Sequence, residues 1–574
     1  MRGFLAAVLP FLAASCAWYR PDGGPLVGGA PDQEAAESLR FQSLADAFIA
    51  WHYAVHPTRA TADGVHDHDG HLGRLSREAL EGRAEGLREY LRRLSHVDPS
   101  GLRGGSVFDF PVLRSALDGI LLDLERVRPW ERNPDYYREL VSGGLYPLAT
   151  RSFDTPARRM AAAADRLSEV PQVLAQAQAN LANPPRIHTE RAIEEFAGTH
   201  AFLKNDLPRA FQAVEDEAVR LRFAATLKPA LDSIERFVDW MRKDLLGRSN
   251  GDFALGEETF RLKLLHEEGV DVPIDELLRR GRELLQRTQA EMAALAGGRP
   301  VRAALRESSG RSPPADRILA EARAMLDGLK AWASAHVDVP PDAACTVQET
   351  PPFRRATSFA SMEIPGPFET VAREAYYSIT LPDPSWSPER TEQHLSFFNP
   401  YALPLISVHE AYPGHYTQFL AARACASRVR RAFRSSSFSE GWAHYCEQLY
   451  VDDRKDAPPE LRLHQKALEL LRIARYLAGI QMHARGMTVE EAVELFVNEA
   501  FLERANAERE ARRAAADPKV PVYTLGKMEI LRLRDEYLAR TGRSLREFHN
   551  ELLAHGAPPL PVARRILLGE PRGR

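Results

Sequence analysis

The sequence has little cysteine. Four cysteines occur among 574 residues, and no two of them have CxxC spacing. This excludes a scaffold held by many disulfides and a zinc finger with cysteine ligands. Apart from Cys16, which belongs to the N-terminal signal described below, we expect Cys345, Cys425 and Cys446 to be buried thiols.

The chain also lacks a large excess of charge of one sign. Lys and Arg number 75 and Asp and Glu number 79, which gives a net charge of −4. A global electrostatic attraction to nucleic acid or to an acidic membrane is therefore not indicated. With 44% hydrophobic and 27% charged residues, the composition is that of a folded, enzyme-sized protein.

Long apolar runs are absent except for a short one at the N-terminus, where residues 1–16 read MRGFLAAVLPFLAASC. One charge, an apolar run and small residues before Cys16 are typical of a secretory signal peptide, and the run is too short to span a bilayer. The sequence before Cys16 resembles the lipobox, whose cysteine is lipidated after cleavage. Plain export and an uncleaved anchor are the alternatives. Residues 17–33, rich in Pro and Gly, predict a flexible tether.

Residues 34–574 are predicted to be mainly helical and to contain two parts. Residues 34–334 carry apolar side chains three and four positions apart, in pieces of ordinary helix length. The proline-rich stretch 337–368 cannot be a continuous helix, and we expect it to form a loop over a cleft. The stretch 375–383, AYYSITLPD, predicts a strand, and helices return from Leu403 to the end.

Two helix starts in the second part, residues 335–574, can be located from short motifs. Thr488 with Glu491, and Ser544 with Glu547, have the spacing of a capping box. In this motif the hydroxyl and the carboxylate each accept a hydrogen bond from a backbone N–H at the start of the helix.

The string HEAYPGHYTQ, which begins at His409, is the most informative for chemistry. Two histidines can hold zinc, and a glutamate beside the first, Glu410, can take a proton from the activated water. The usual HExxH spacing brings both rings to one face of a helix. Here the second histidine is His415, six residues on, which on a regular helix is about 120° away. The motif therefore predicts a distorted helix at Pro413 and Gly414.

A second string, EGWAHYCE, begins 25 residues after His415. Zincins of the glutamate type take a third ligand from a second helix, and Glu440 is the candidate. His444, one turn further on, is either another ligand or a partner that supports one. Glu447 either orients a ligand ring or faces solvent.

Together these strings resemble the bacterial family known as domain of unknown function 885, which is grouped with zincin-like peptidases. Four further segments resemble other motifs of that family: 56–72, 253–260, 522–534 and 548–562. The resemblance implies a mainly α, zincin-like architecture with a small β element beside the metal-site helix.

The resemblance also implies roles for particular residues. His409, His415 and Glu440 would be the metal ligands, Glu410 the general base, and Tyr523 a donor to the developing oxyanion. By analogy with zincin-like peptidases, AYYSITLPD would be an edge strand that holds an extended substrate, with Tyr376 and Tyr377 near the cleft.

The function that we expect is an exported zinc-dependent peptidase, possessing one divalent ion and acting on short peptides. It would contact a membrane only through an N-terminal lipid or anchor and would not bind nucleic acid. Two alternatives stay open: a hydrolase of another amide bond, such as one in cell-wall fragments, and a catalytically degenerate periplasmic binding or assembly lipoprotein.

A histidine-rich segment from His66 to His71 could bind a second metal, although a polar loop is the simpler interpretation. The sequence does not indicate an oligomeric state.

Overall fold

The structure, a computed structural model, describes residues 33–310, 312–355 and 359–569. The predicted signal peptide and the predicted tether lie outside the described residues, except that Gln33 begins the first helix. Within these ranges the fold is mainly α, as predicted, with one small sheet. No described helix is both long and apolar enough to cross a membrane.

The first part of the chain consists of helices, as the spacing of its apolar residues predicted. Proline begins several of them, for example at Pro57, Pro129 and Pro156, where its missing N–H is not needed for the helix. The bounds are α1 (Gln33–Val55), α2 (Pro57–Asp63), α3 (Arg77–Ser95), α4 (Ser106–Leu122), α5 (Pro129–Arg132), α6 (Asp135–Thr150), α7 (Pro156–Asn180), α8 (Arg186–Ala201), α9 (Leu207–Ala210), α10 (Glu217–Trp240), α11 (Leu246–Arg248), α12 (Glu257–Glu268), α13 (Ile274–Leu295), α14 (Val301–Ser309) and α15 (Ala315–His336).

The second part begins with three short strands and continues with helices. The strands are β1 (Thr346–Glu349), β2 (Ala360–Glu363) and β3 (Tyr376–Ile379). The helices are α16 (Pro388–Leu395), α17 (Ala402–Glu410), α18 (His415–Arg423), α19 (Arg428–Ala432), α20 (Ser436–Asp452), α21 (Pro459–Ala484), α22 (Val489–Glu499), α23 (Arg504–Ala516), α24 (Val522–Thr541), α25 (Leu545–Ala554) and α26 (Leu560–Leu568). Both predicted capping boxes are confirmed, at the starts of α22 and α25.

The sheet has the strand order β1-β3-β2, with β1 parallel and β2 antiparallel to β3. The strand predicted in AYYSITLPD is confirmed as β3. It lies in the centre of the sheet, however, so the prediction that it is an edge strand is wrong. The proline-rich stretch is not a continuous helix, as predicted, and it supplies both outer strands, β1 and β2. Among the described strands, β2 is therefore the edge nearest to α17, which it contacts.

The two parts of the chain share hydrophobic clusters. One cluster joins α1, α3 and α4 to Val429, Ala432 and Val562 of the second part. The two parts therefore pack against each other, and the division at residue 334 marks only a change in sequence composition. Cys425 and Cys446 are buried thiols, as expected, and Cys345 is a partly buried one.

Helices α20 and α24 pack closely through a pair of glycines. A Cβ atom on Gly441 would lie 2.4 Å from the backbone of Gly526, and one on Gly526 would lie 1.8 Å from the carbonyl oxygen of Ser437. Both distances are far below van der Waals contact, so only glycine fits at these positions. This contact places the helix that carries Glu440 directly against the helix that carries Tyr523.

Candidate metal centre

The two histidines of HEAYPGH lie on different helices. Helix α17 ends at Glu410, and α18 begins at His415 after a four-residue turn. The predicted distortion is therefore confirmed, and it is a complete break in the helix. Gly414 permits this turn, because a Cβ atom there would lie 1.9 Å from the carbonyl oxygen of His409. Its own N–H donates to the carbonyl oxygen of Val408 at 3.0 Å.

The turn is also held from the neighbouring helix α20. The indole N–H of Trp442 donates to the carbonyl oxygen of Pro413 at 2.8 Å, and the ring is fully buried. This contact was not predicted from the sequence. A hydrogen bond between residues 29 positions apart has no signature in the sequence.

The break brings His415 back toward His409 and both toward Glu440. Oε2 of Glu440 lies 3.5 Å from Nε2 of His409 and 3.3 Å from Nε2 of His415. One ligand atom from each residue lies within 4.8 Å of the others, and in the described part of the chain no other group of His, Cys, Asp or Glu is so arranged. The imidazole planes are nearly perpendicular, at 87°.

These three residues fit a divalent metal ion such as zinc. Glu440 Oε2 is buried and has no hydrogen-bond partner with acceptable geometry. A buried carboxylate oxygen without a donor is costly, and a cation at the centre of the group would satisfy it. Two imidazole nitrogens and one carboxylate oxygen are also the ligand set of several catalytic zinc sites, which leave a further position open.

Electrostatics within the group favour a cation as well. Burial opposes ionisation of Glu440, but the two histidines hold the pKa of its carboxyl well below its usual range. Burial likewise opposes a charged His409 ring, yet contacts with Glu440 and Glu447 raise its pKa to about 9. The group thus stabilises a positive charge at its centre, which a metal ion would supply in place of a proton.

Glu447 orients the first histidine. Its carboxylate accepts a hydrogen bond from Nδ1 of His409 at 2.7 Å and lies 2.8 Å from the Arg472 guanidinium. Although burial alone would raise the pKa of Glu447, Arg472 and the histidines lower it well below its usual value. With Nδ1 protonated toward Glu447, Nε2 of His409 is the free nitrogen that faces the ligand group.

His444 does not belong to the ligand group. It is buried, and its Nδ1 lies 3.4 Å from Glu447. Burial, together with the nearby Lys527, lowers the pKa of His444 to about 3, so the ring is neutral. The sequence left open whether His444 is a ligand or a partner that supports one. The structure favours the second interpretation, because His444 lies beside Glu447, the residue that orients His409.

Glu410 and Tyr523 line the same cavity as the ligand group. Burial raises the pKa of Glu410, which strengthens this carboxylate as a proton acceptor. Burial also raises the pKa of Tyr523, so its hydroxyl stays protonated at neutral pH. The Tyr523 oxygen accepts a hydrogen bond from Nη2 of Arg513 at 2.9 Å, which leaves its own proton available to another acceptor.

The cavity has a volume of about 590 Å³, and one of its walls includes the edge strand β2. Tyr376 and Tyr377, predicted to lie near the cleft, are not among the residues that line this cavity. The Tyr377 hydroxyl is buried against Ser407 at 3.1 Å, and the Tyr376 hydroxyl donates to the carbonyl oxygen of Thr150 at 3.1 Å. As consecutive residues of β3 they lie on opposite faces of the sheet, Tyr377 fully buried and Tyr376 partly exposed.

The histidine-rich segment forms ion pairs with carboxylates. Nδ1 of His66 lies 3.0 Å from Asp69 and its Nε2 lies 2.9 Å from Glu369, while Nδ1 of His71 lies 2.9 Å from Glu169. The ring nitrogens of His66 are both used in this way. The polar-loop interpretation therefore describes this segment.

Fold and site together define a mainly helical protein with a His-His-Glu group, its histidines buried, that suits a metal ion. The chain belongs to the family described as "Bacterial protein of unknown function (DUF885)", whose family model matches residues 57–567. The family indicated by the motifs is thus confirmed. No curated protein matches the chain.

Two solved structures share the fold. A candidate lipoprotein of unknown function from Shewanella oneidensis is 25% identical, with a TM-score of 0.75 over 92% of this chain and 99% of that chain. A candidate lipoprotein from Colwellia psychrerythraea is 16% identical, with a TM-score of 0.77 over 94% of this chain and 99% of that chain.

Proposed function

We propose that this protein is an exported, zinc-dependent peptidase with a zincin-like site that acts on short peptides. The observation that carries the proposal is the convergence of His409, His415 and Glu440 within 4.8 Å, in the cavity that Glu410 also lines. Two imidazoles, a carboxylate and a glutamate next to the first histidine are the ligands and the base of a metal hydrolase.

The proton transfers are assigned to Glu410. When bound, a zinc ion would polarise the substrate carbonyl and make an attacking water more acidic. Glu410 takes the proton from that water and passes it to the leaving amine. Its raised pKa suits both steps, because a general base works best when its pKa is close to the working pH.

Tyr523 is the candidate donor to the oxyanion. Burial raises the pKa of its hydroxyl and keeps it protonated, and the positive Arg513 beside it offsets part of that rise. A donor held in place before the reaction stabilises the negative charge that develops on the carbonyl oxygen.

The shape of the cavity favours short peptides. A volume of about 590 Å³ holds a few residues and is too small for a folded domain. The edge strand β2 offers main-chain hydrogen-bonding groups to an extended segment beside the ligands, which would bind many sequences alike. Rapid cleavage of a folded protein at internal sites would count against this preference.

Metal analysis tests the proposal first. We expect one zinc per chain in purified residues 17–574 and in Glu410→Gln, and little zinc in His409→Ala and Glu440→Ala. The Glu410→Gln variant should cleave a short-peptide library about 10²- to 10⁴-fold more slowly, because it holds the ion but lacks the base. Glu490→Gln, on the exposed surface of α22, is the matched control.

The same preparations separate the alternatives. If the chain binds zinc and hydrolyses cell-wall fragments but does not hydrolyse peptides, it is a hydrolase of another amide bond. A folded wild-type chain that takes up no metal even when zinc is supplied would refute the hydrolase and support a binding or assembly lipoprotein.

We propose that Cys16 is lipidated and attaches the protein to a membrane. The lipobox-like sequence supports this, as does the description of both structural relatives as candidate lipoproteins. Cell fractionation should find the wild type with membranes and Cys16→Ser in the soluble exported fraction or retained as precursor.

A further inference from the structure

The cavity wall carries more positive than negative side chains. Its acidic side chains are Glu410 and Glu440, which the proposed reaction already uses. Six cationic side chains line it: Arg59, Arg434, Arg472, Arg475, Arg513 and Lys519. A cation-rich wall in a confined space attracts anions and disfavours a second cation.

Two of these cations are neutralised by partners behind the wall. Arg475 donates two hydrogen bonds to Glu510, at 2.6 and 2.8 Å. Arg472 lies 2.8 Å from Glu447. These guanidiniums are therefore already paired, Arg475 with a carboxylate of the fold and Arg472 with the carboxylate that orients His409.

Two others share one carboxylate. Nε of Arg59 lies 2.6 Å from Asp63, and Nη2 of Arg434 lies 3.2 Å from the other oxygen of the same residue. This group carries one positive charge in excess. Lys519, at the rim and 46% exposed, lies 3.3 Å from Glu267.

Arg513 differs from all of these. Its described hydrogen bond is the one from Nη2 to the Tyr523 hydroxyl. Glu510, Asp517 and Glu440 stabilise its charge from a longer range, but none of these carboxylates makes an ion pair with it among the described residues. The guanidinium is partly buried and lies beside the ring of Tyr523, 5.8 Å from its centre. A partly buried guanidinium that makes no direct ion pair favours an anionic ligand, and its planar shape suits a carboxylate.

We propose that Arg513 binds a carboxylate of the substrate, namely the α-carboxylate at the C-terminus, so that the enzyme removes residues from that end. This inference rests on the peptidase proposed above. No carboxylate in the described lining is free to bind the ammonium of an N-terminus. Electrostatic attraction from the Arg59 and Arg434 pair adds to the preference for an anionic chain end.

Matched peptides test the inference in the zinc-loaded chain. One sequence is prepared with a free C-terminus, as the C-terminal amide, and with an acetylated N-terminus. We expect amidation to lower kcat/KM about 10- to 100-fold and acetylation to change it less than threefold. Amidated peptides with an internal Glu or Gln identify which carboxylate Arg513 binds. Faster cleavage of the Glu peptide would mean that Arg513 binds a side-chain carboxylate instead of the α-carboxylate, and it would overturn cleavage from the C-terminus.

Variants of Arg513 test the residue itself. Arg513→Gln should bring the acid and amide peptides within about threefold of each other, mainly through a higher KM for the acid. Arg513→Lys should keep part of the difference. Loss of the contact with Tyr523 would lower kcat for both peptides alike. The ratio of kcat/KM for the acid peptide to that for the amide peptide therefore reports carboxylate binding. Arg532→Gln, on the exposed face of α24, removes one charge outside the cavity and should leave the ratio unchanged.

A binding measurement separates failure of this inference from failure of the peptidase. Calorimetry on the chelator-treated full chain compares N-acetylphenylalanine with its amide, neither of which needs to be cleaved. Preference for the acid that disappears in Arg513→Gln would support carboxylate binding even if no peptide were hydrolysed. Equal affinity for both compounds, or cleavage blocked by acetylation and not by amidation, would overturn it.

Discussion

At the scale of single residues, the candidate site depends on buried charges that neutralise one another. Glu447 and Arg472 lie behind His409 and are far from it in the sequence. Their pairing holds a carboxylate ionised in a buried position, and that carboxylate in turn orients the imidazole. His409 is therefore positioned by residues that do not belong to the candidate ligand group.

Replacing Glu447 with Gln should weaken metal binding. The amide keeps the shape of the side chain and removes the charge that orients His409 and balances Arg472. We expect zinc affinity to fall about 10- to 100-fold, measured by competition with a chelator. The exposed Glu490→Gln on α22 is the control. Unchanged affinity in a folded Glu447→Gln protein would show that Glu447 does not support the site.

At the scale of helices, the site is assembled by close contacts between glycines and backbone. Gly414 allows the turn between α17 and α18, and Gly441 and Gly526 allow α20 to approach α24. Any side chain at these positions would push apart the elements that carry His409, His415, Glu440 and Tyr523.

Gly526→Ala should separate α20 from α24. The added Cβ would lie 1.8 Å from the carbonyl oxygen of Ser437, so the helices must move apart. We expect the free energy of unfolding to fall by about 3 kcal/mol or more and zinc binding to weaken, by denaturant titration and metal analysis. Gly328→Ala in α15 is the matched control, because nothing lies within 4 Å of its added Cβ. A fully stable, zinc-replete Gly526→Ala protein would contradict this account of the packing.

At the scale of the whole molecule, the first part of the chain completes the cavity formed by the second. Arg59 of α2 lines the cavity that contains His409 of α17. His66 also pairs with Glu369, which is 303 residues away. Such contacts join the two parts of the chain by charge as well as by apolar packing.

The His66–Glu369 pair predicts how stability changes with pH. Although burial opposes the charged ring, Asp69 and Glu369 raise the pKa of His66 to about 9. Its stabilising effect is complete below the unfolded pKa of about 6.5 and is lost as pH rises through 9. Burial raises the pKa of Glu369, but His66 and two backbone N–H groups lower it to about 2, so its effect is present above about pH 4.5 and lost as pH falls through 2.

Replacement of His66 with Gln measures this effect. The stability difference between wild type and variant should be about 2 kcal/mol at pH 6 and should shrink toward zero near pH 10, in denaturant titrations at each pH. His96→Gln, at an exposed position, should show no such trend. A difference independent of pH would mean that the pair contributes packing and not charge.

The sequence alone determined the local features of this protein. Apolar spacing predicted the helices, Thr488 and Ser544 predicted two helix starts, and the six-residue spacing of His409 and His415 predicted a distortion of the helix between them. Each of these depends on residues within about one or two helical turns, where side-chain spacing and backbone hydrogen bonding act directly.

Only the tertiary structure decided the arrangement of distant residues. It made β2 and not β3 the edge strand, placed Glu447 and Arg472 behind His409, and left Arg513 hydrogen-bonded to Tyr523 and outside any direct ion pair among the described residues. These features arise where elements far apart in the sequence pack together, and burial then determines which charges are paired. No periodicity or motif within one segment records such contacts.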